Sequence, residues 1–247
     1  MVNEIWRQLP TSVRQPVREI IFKLVAHNKF LNHKVNVGSF IAMTPDTPPA
    51  VRVCLEKAHL VGVQGDYYEF GLYRGYTFWF AQQSAQSLGL NLMRFFGFDS
   101  FQGLPKPEGI DAETGEFSEN DYAASIDEVK YYLERYGVDW KKTFLVKGFY
   151  DDSLKPELKT NFEMNKVMVA LIDCDLYHST TMVLNFLGGL LQDGSVLMFD
   201  DWNCFNQSDE KGERRAFREF LEKHSSWRAD PFISFGWHGQ SFVLSHV

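Results

Sequence analysis

Two pairs of carboxylates end two apolar runs of this 247-residue chain: Asp173 and Asp175 in IDCDLYHS after KVMVALID, and Asp200 and Asp201 in FDDW after GSVLMFD. If the runs are neighbouring strands, up to four carboxylates meet at one edge, with Asp173 and Asp175 on the same face. Clustered carboxylates repel one another unless protons or a cation neutralise them. A hard divalent ion with oxygen ligands is therefore the expected occupant, Mg2+ foremost. A single aspartate at a strand-to-helix turn ordinarily caps the helix. Three at two adjacent strand ends, beside a nucleotide site, point to a metal.

The nucleotide half is read from two earlier runs. The first ends in EFGLYRG, where Glu69 sits at the strand end and Gly71 and Gly75 let backbone approach a ligand at the start of a helix. The second ends about thirty residues later at Asp99, whose carboxylate can accept both hydrogen bonds of a ribose diol. A dinucleotide fingerprint requires three glycines as GxGxxG, whereas two glycines and an internal acid stand here. A sulfonium cofactor without phosphates suits this turn better than NAD.

The elements that must position these residues are five short apolar runs, at 66–71, 93–99, 143–148, 166–173 and 194–200, separated by helical patterns. Such alternation predicts an α/β, doubly wound, mostly parallel sheet whose ligands bind beyond the carboxyl ends of its strands. The tail, FISFG then QSFVLSHV, predicts an antiparallel hairpin at one edge. Residues 1–61 form a helical extension with Val17, Ile20, Ile21, Leu24 and Val25 on one stripe. Pro45, Pro48 and Pro49 interrupt it, and a second helix is expected after them, carrying Val51, Val53, Leu55, Ala58 and Leu60. Residues 62–247 form the catalytic domain, with a polar, Gly- and Pro-rich lid insertion at about 100–125.

The formal charge of -7 and the lack of a basic block argue against a nucleic-acid partner. The opening segment mixes charges with apolar residues, so neither a signal peptide nor a membrane span is expected and a cytoplasmic location is. Cys54, Cys174 and Cys204 have no metal or disulfide spacing and read as packing. So do Phe78, Trp79 and Phe80, which cannot all face one ligand from a single helix. His178 reads as flanking the next helix, Arg74 as a surface or interface residue, and Glu213 and Arg215 as a solvated helix start. Trp6, Phe22, Phe30 and Phe40 are candidates to cover a neighbouring subunit.

In these motifs the chain resembles the macrocin, mycinamicin and novobiocin type of sugar O-methyltransferase: GDYYEFGLYRG, GFDSFQGLP, VKGFYDDSL, LIDCDLYHST and FDDW fall in order at consecutive predicted strand ends. The resemblance covers about residues 62–247. It implies a Rossmann-like class I methyltransferase fold with a seven-stranded sheet, S-adenosylmethionine and Mg2+ as cofactors, and a sugar-like small molecule whose hydroxyl accepts the methyl group. It also implies a homodimer or higher homo-oligomer.

By the same resemblance, Glu69, Gly71 and Gly75 would shape the methionine and ribose end, Asp99 and Ser100 would hold the ribose, and Gly148, Phe149 and Tyr150 would line the adenine. Asp173, Asp200 and Asp201 would ligate the metal. Asp175 is the leading general base, although Asp173, which also borders the cofactor, could serve both duties. FIAMTPDTPP departs from the threonine and methionine motif that grips the cofactor's amino-acid end, with Thr44 as its substitute. Two other readings use the same residues: a nonenzymatic adenosine-ligand binder, which leaves the carboxylates without a role, and a metal-dependent hydrolase, which leaves the first two strand motifs without one.

Overall fold

The computed structural model describes residue 40, residues 42–113 and residues 115–247. The stripe at 17–25 and the aromatic residues Trp6, Phe22 and Phe30 lie outside the described residues. The chain runs through α1 (Thr47–Leu60), β1 (Asp66–Phe70), α2 (Tyr76–Ser87) and β2 (Phe95–Asp99). After the insertion come α3 (Ile126–Arg135), β3 (Thr143–Lys147) and the short helices α4 (Tyr150–Ser153) and α5 (Pro156–Asn161). Then follow β4 (Val167–Ile172), α6 (Tyr177–Leu187), β5 (Val196–Phe199), α7 (Gly212–Lys223), β6 (Trp227–Phe235) and β7 (Gly239–His246).

These strands make one seven-stranded sheet in the order β3-β2-β1-β4-β5-β7-β6. β1 to β5 pair in parallel, and β7 enters antiparallel between β5 and β6. Because alternate side chains point to opposite faces, the two tyrosines of β1 part company. Tyr67 joins Val169, Leu171 and Met198 under α1, α2 and α3, whereas Tyr68 joins Ala170, Ile172 and Phe199 under α6 and α7. Both faces are therefore apolar, which explains why the parallel strands read as continuous hydrophobic runs.

The register sets the functional edge. Phe70 pairs with Phe98 on one side and Ile172 on the other, and Ile172 pairs with Phe199. The next residues, Asp99, Gly71, Asp173 and Asp200, consequently emerge in a row. The row is held by the Gly71 N–H donating to Phe98 O at 2.9 Å, the Asp173 N–H to Phe70 O at 2.8 Å and the Asp200 N–H to Ile172 O at 3.0 Å. Strand order reverses between β1 and β4, where an open α/β sheet leaves a crevice.

Several expectations are corrected. α1 begins at Thr47 and takes Pro48 and Pro49 into its first turn, where a missing N–H costs nothing. It buries Ala50, Val51, Cys54, Leu55 and Ala58, while Val53 and Leu60 face outward. Phe40 is buried within this chain, stacked on Tyr132 and Tyr136 at 5.1 and 4.4 Å, so it does not wait for another subunit. Among the described residues no helix is long and apolar enough to cross a membrane.

Candidate active site

Above the β1–β4 crevice lies a cavity of about 330 Å³. The strand ends supply its floor: Gly71, Asp99, Gly148, Asp173 and Asp200. Walls come from Met43 and Thr44 before α1, from Gly103, Leu104, Pro105, Asp121 and Tyr122 of the insertion, and from His178 and Ser179 of α6. Among the described residues seven aspartates line it, and no lysine or arginine does.

Asp99 organises the half of the cavity beside β2. Its Oδ2 accepts the N–H groups of Leu72 and Tyr73 at 2.7 and 3.2 Å, and its Oδ1 accepts that of Phe101 at 2.6 Å. One carboxylate thus holds both the glycine turn after β1 and the start of the insertion, while Oδ1 keeps further acceptor capacity. The β1 turn leaves no room beside the backbone: at Gly71, φ +92, a Cβ would run into the carbonyl oxygen of Asp173. Gly75, φ 80, is the N-cap of α2. Ser100 Oγ donates to Gly103 O at 2.7 Å, closing the first turn of the insertion. Gly148, Phe149 and Tyr150 line the far wall, and the Tyr150 ring meets Phe70 edge-on at 6.0 Å.

Glu69 lies beneath this turn, 1% exposed, accepting the Tyr67 hydroxyl at 2.5 Å. Burial, aided by Asp200 and Asp99 and opposed by the Tyr67 hydrogen bond, pushes its carboxyl up to about 8. It does not line the cavity.

In the acidic half, Asp173, Asp175 and Asp201 each offer an oxygen within 4.8 Å of the others. Asp175 adopts φ 63, and its N–H donates to Asp201 Oδ2 at 3.2 Å. Asp200 turns aside: Thr47 Oγ1 donates to its Oδ1 at 2.6 Å, and His238 Nδ1 donates to its backbone oxygen at 2.7 Å while lying 3.5 Å from Oδ2. Burial and the neighbouring aspartates push Asp173 and Asp175 well above the usual carboxylate range, and burial with Asp200 pushes Asp201 to about 7. Such a set is electrostatically incomplete without protons or a cation.

Two side chains, Arg74 and Glu213, stand elsewhere than expected. Arg74 is partly buried and paired with Glu128 of α3 at 3.1 Å rather than free on the surface. Glu213 is buried at the start of α7, not solvated. His178 flanks α6 as expected and also meets Asp151 at 3.1 Å across the cavity rim. Thr47, His238, Asp121 and Tyr122 were not anticipated. The insertion docks through Asp111, which accepts the Tyr177 and His178 N–H groups at 2.8 and 3.1 Å and so caps α6.

The sheet order, the antiparallel β7 and a carboxyl-edge cavity define a Rossmann-like class I methyltransferase fold. Two solved structures share it: the O-methyltransferase NovP, at 19% identity with a TM-score of 0.68 over 84% of this chain and 83% of that one, and the calicheamicin methyltransferase CalS11, at 20% identity and 0.66 over 95% and 94%. Residues 49–234 match the sequence profile of the macrocin-O-methyltransferase (TylF) family, and the chain belongs to that family.

Two curated relatives are similar as well. One is the 8-demethyl-8-(2,3-dimethoxy-alpha-L-rhamnosyl)-tetracenomycin-C 4'-O-methyltransferase of Streptomyces olivaceus, 29% identical over 62% of this chain. The other is the mycinamicin III 3''-O-methyltransferase of Micromonospora griseorubida, 28% identical over 69% of it. The matches span 58% and 66% of those relatives' own lengths.

Proposed function

We propose that this protein is an O-methyltransferase that uses S-adenosylmethionine and Mg2+ to methylate a hydroxyl of a sugar or glycosylated natural product. The observation that carries the reading is a cavity lined, among the described residues, by seven aspartates with no lysine or arginine, set on the β1–β4 crevice. Such a lining attracts cations, and the reading supplies two: a sulfonium and a divalent metal. Both relatives are named for O-methylation, one of a compound carrying a rhamnosyl group.

Gly71, Asp99, Ser100, Gly148, Phe149 and Tyr150 would hold the cofactor, and Asp173 and Asp201 would hold the ion, Asp200 being held aside by Thr47 and His238. When bound, S-adenosylmethionine would supply an electrophilic methyl group, and the ion would acidify an acceptor hydroxyl. Asp175 takes that hydroxyl's proton on a carboxylate oxygen, in a site where burial favours its protonated form. Tyr73 and Tyr122, which meet edge-on with centroids 6.5 Å apart, and Leu104 form the wall where the acceptor enters. The insertion supplies Gly103, Leu104, Pro105, Asp121 and Tyr122 to the walls around both halves.

Calorimetric titration with S-adenosylmethionine and with S-adenosylhomocysteine in the presence of Mg2+ tests the cofactor half, and saturable one-site binding of each is expected. Transfer of label from methyl-labelled cofactor to a rhamnoside acceptor tests the reaction. Binding without transfer to any hydroxylated acceptor would favour a nonenzymatic adenosine-ligand binder. Hydrolysis of an acceptor without cofactor would favour a hydrolase.

A further inference from the structure

The loop that carries Asp201 is gripped from behind by the first turn of α7. The backbone N–H of Asp201 donates to Glu213 Oε2 at 2.9 Å. The neighbouring Arg214 donates from Nε to the Trp202 carbonyl at 2.8 Å and from Nη2 to Asn203 Oδ1 at 2.8 Å. Two adjacent residues of one helix therefore fix three consecutive residues of the loop.

Glu213 is unusual in what holding the loop requires of it. It is 1% exposed, and its second oxygen, Oε1, is buried without a hydrogen-bond partner. Stability alone would favour an apolar residue, or an acid left at the solvated start of the helix. The carboxyl instead sits behind Asp201, outside the cavity, where it sets the peptide plane preceding the Asp201 side chain. Supporting partners that orient metal ligands are a recurrent requirement of cation sites.

We propose that Glu213 is a positioning residue for the cation site: by accepting the Asp201 N–H, it fixes the direction in which the Asp201 carboxylate leaves the backbone toward Asp173 and Asp175. It touches neither cofactor nor acceptor. The inference rests on the reading that Asp201 belongs to a divalent-cation site.

The test is Mn2+ binding to the full-length protein, followed by the loss of the free-ion signal in electron paramagnetic resonance. Wild type is compared with E213A, E213Q and D201A, and S-adenosylhomocysteine calorimetry reports that each variant is folded. E213A is expected to weaken Mn2+ binding about 10- to 100-fold with cofactor affinity unchanged. E213Q, whose amide oxygen still accepts the Asp201 N–H, is expected to recover most of it. If E213A does not fold, E213D, shorter by one methylene, carries the same expectation.

Wild-type affinity in E213A, or in E213D where that variant is used, would overturn the proposal while leaving the cation site intact. So would a E213Q variant as weak as E213A. No Mn2+ binding by wild type would overturn both the proposal and the cation reading beneath it.

Discussion

The hydroxyl of Thr47 donates to Asp200 across 2.6 Å, although 153 residues separate them. The first turn of α1 is thereby tied to the end of β5, with the Thr44 hydroxyl 3.4 Å from the other carboxylate oxygen. Removing the donor leaves a buried carboxylate short of a partner. Thr47→Val is expected to cost about 1–3 kcal/mol in denaturant unfolding, because a carboxylate that is 3% exposed loses its shortest hydrogen bond.

Asp99 holds two loops at once, so its loss should reach beyond one missing ribose contact. Asp99→Ala is expected to weaken S-adenosylhomocysteine binding at least about tenfold, or roughly 1.4 kcal/mol by calorimetry. Mn2+ binding should be unaffected. Equal cofactor affinity in both proteins would reduce Asp99 to a loop anchor.

Asp175 and Asp201 divide on metal binding. Asp201→Ala should abolish Mn2+ binding and spare cofactor binding. Asp175→Asn should retain the ion and lose turnover by about 10²- to 10⁴-fold, the usual contribution of a positioned base. Loss of the ion in Asp175→Asn would move Asp175 from base to ligand, which its place among the three converging carboxylates allows.

Burial raises Glu69 to about 8 from 4.5, and burial with Asp200 raises Asp201 to about 7 from 3.8. In each case the folded protein keeps a proton that the unfolded chain has released. That stabilisation is complete below the unfolded value and is lost as pH rises through the folded one. The metal-free protein should therefore lose stability between about pH 4 and pH 8 on account of these groups. Binding a divalent ion requires Asp201 ionised, so the rise in Tm given by saturating Mg2+ should be larger at about pH 8 than at about pH 6.

The strand ends were legible because each continuous apolar run stops at an acid or a glycine, and parallel register then aligns the stops. Gly71, Asp99, Asp173 and Asp200 were found in this way. Thr47 and His238 were not, because only tertiary docking brings the first turn of α1 and the β6–β7 turn to Asp200. Glu213 was misread for a related reason. GERRAFREF carries so many charges that its start looks solvated, and nothing local shows that Gly212 and Glu213 sink beside Phe205 and Asp201. Arg74 followed the same pattern, its partner Glu128 lying beyond the whole insertion.

β7 reaches the sheet after β6 yet lies inside it, between β6 and β5, and the turn that joins them carries His238 to Asp200. During synthesis on the ribosome, β5 therefore emerges with one edge open and stays so until residues 239–246 have cleared the exit tunnel. Asp200 cannot acquire its histidine contact before then. The support that His238 gives Asp200 is thus a late event of folding, tied to the insertion of β7 between its two neighbours rather than to the closing of the parallel strands.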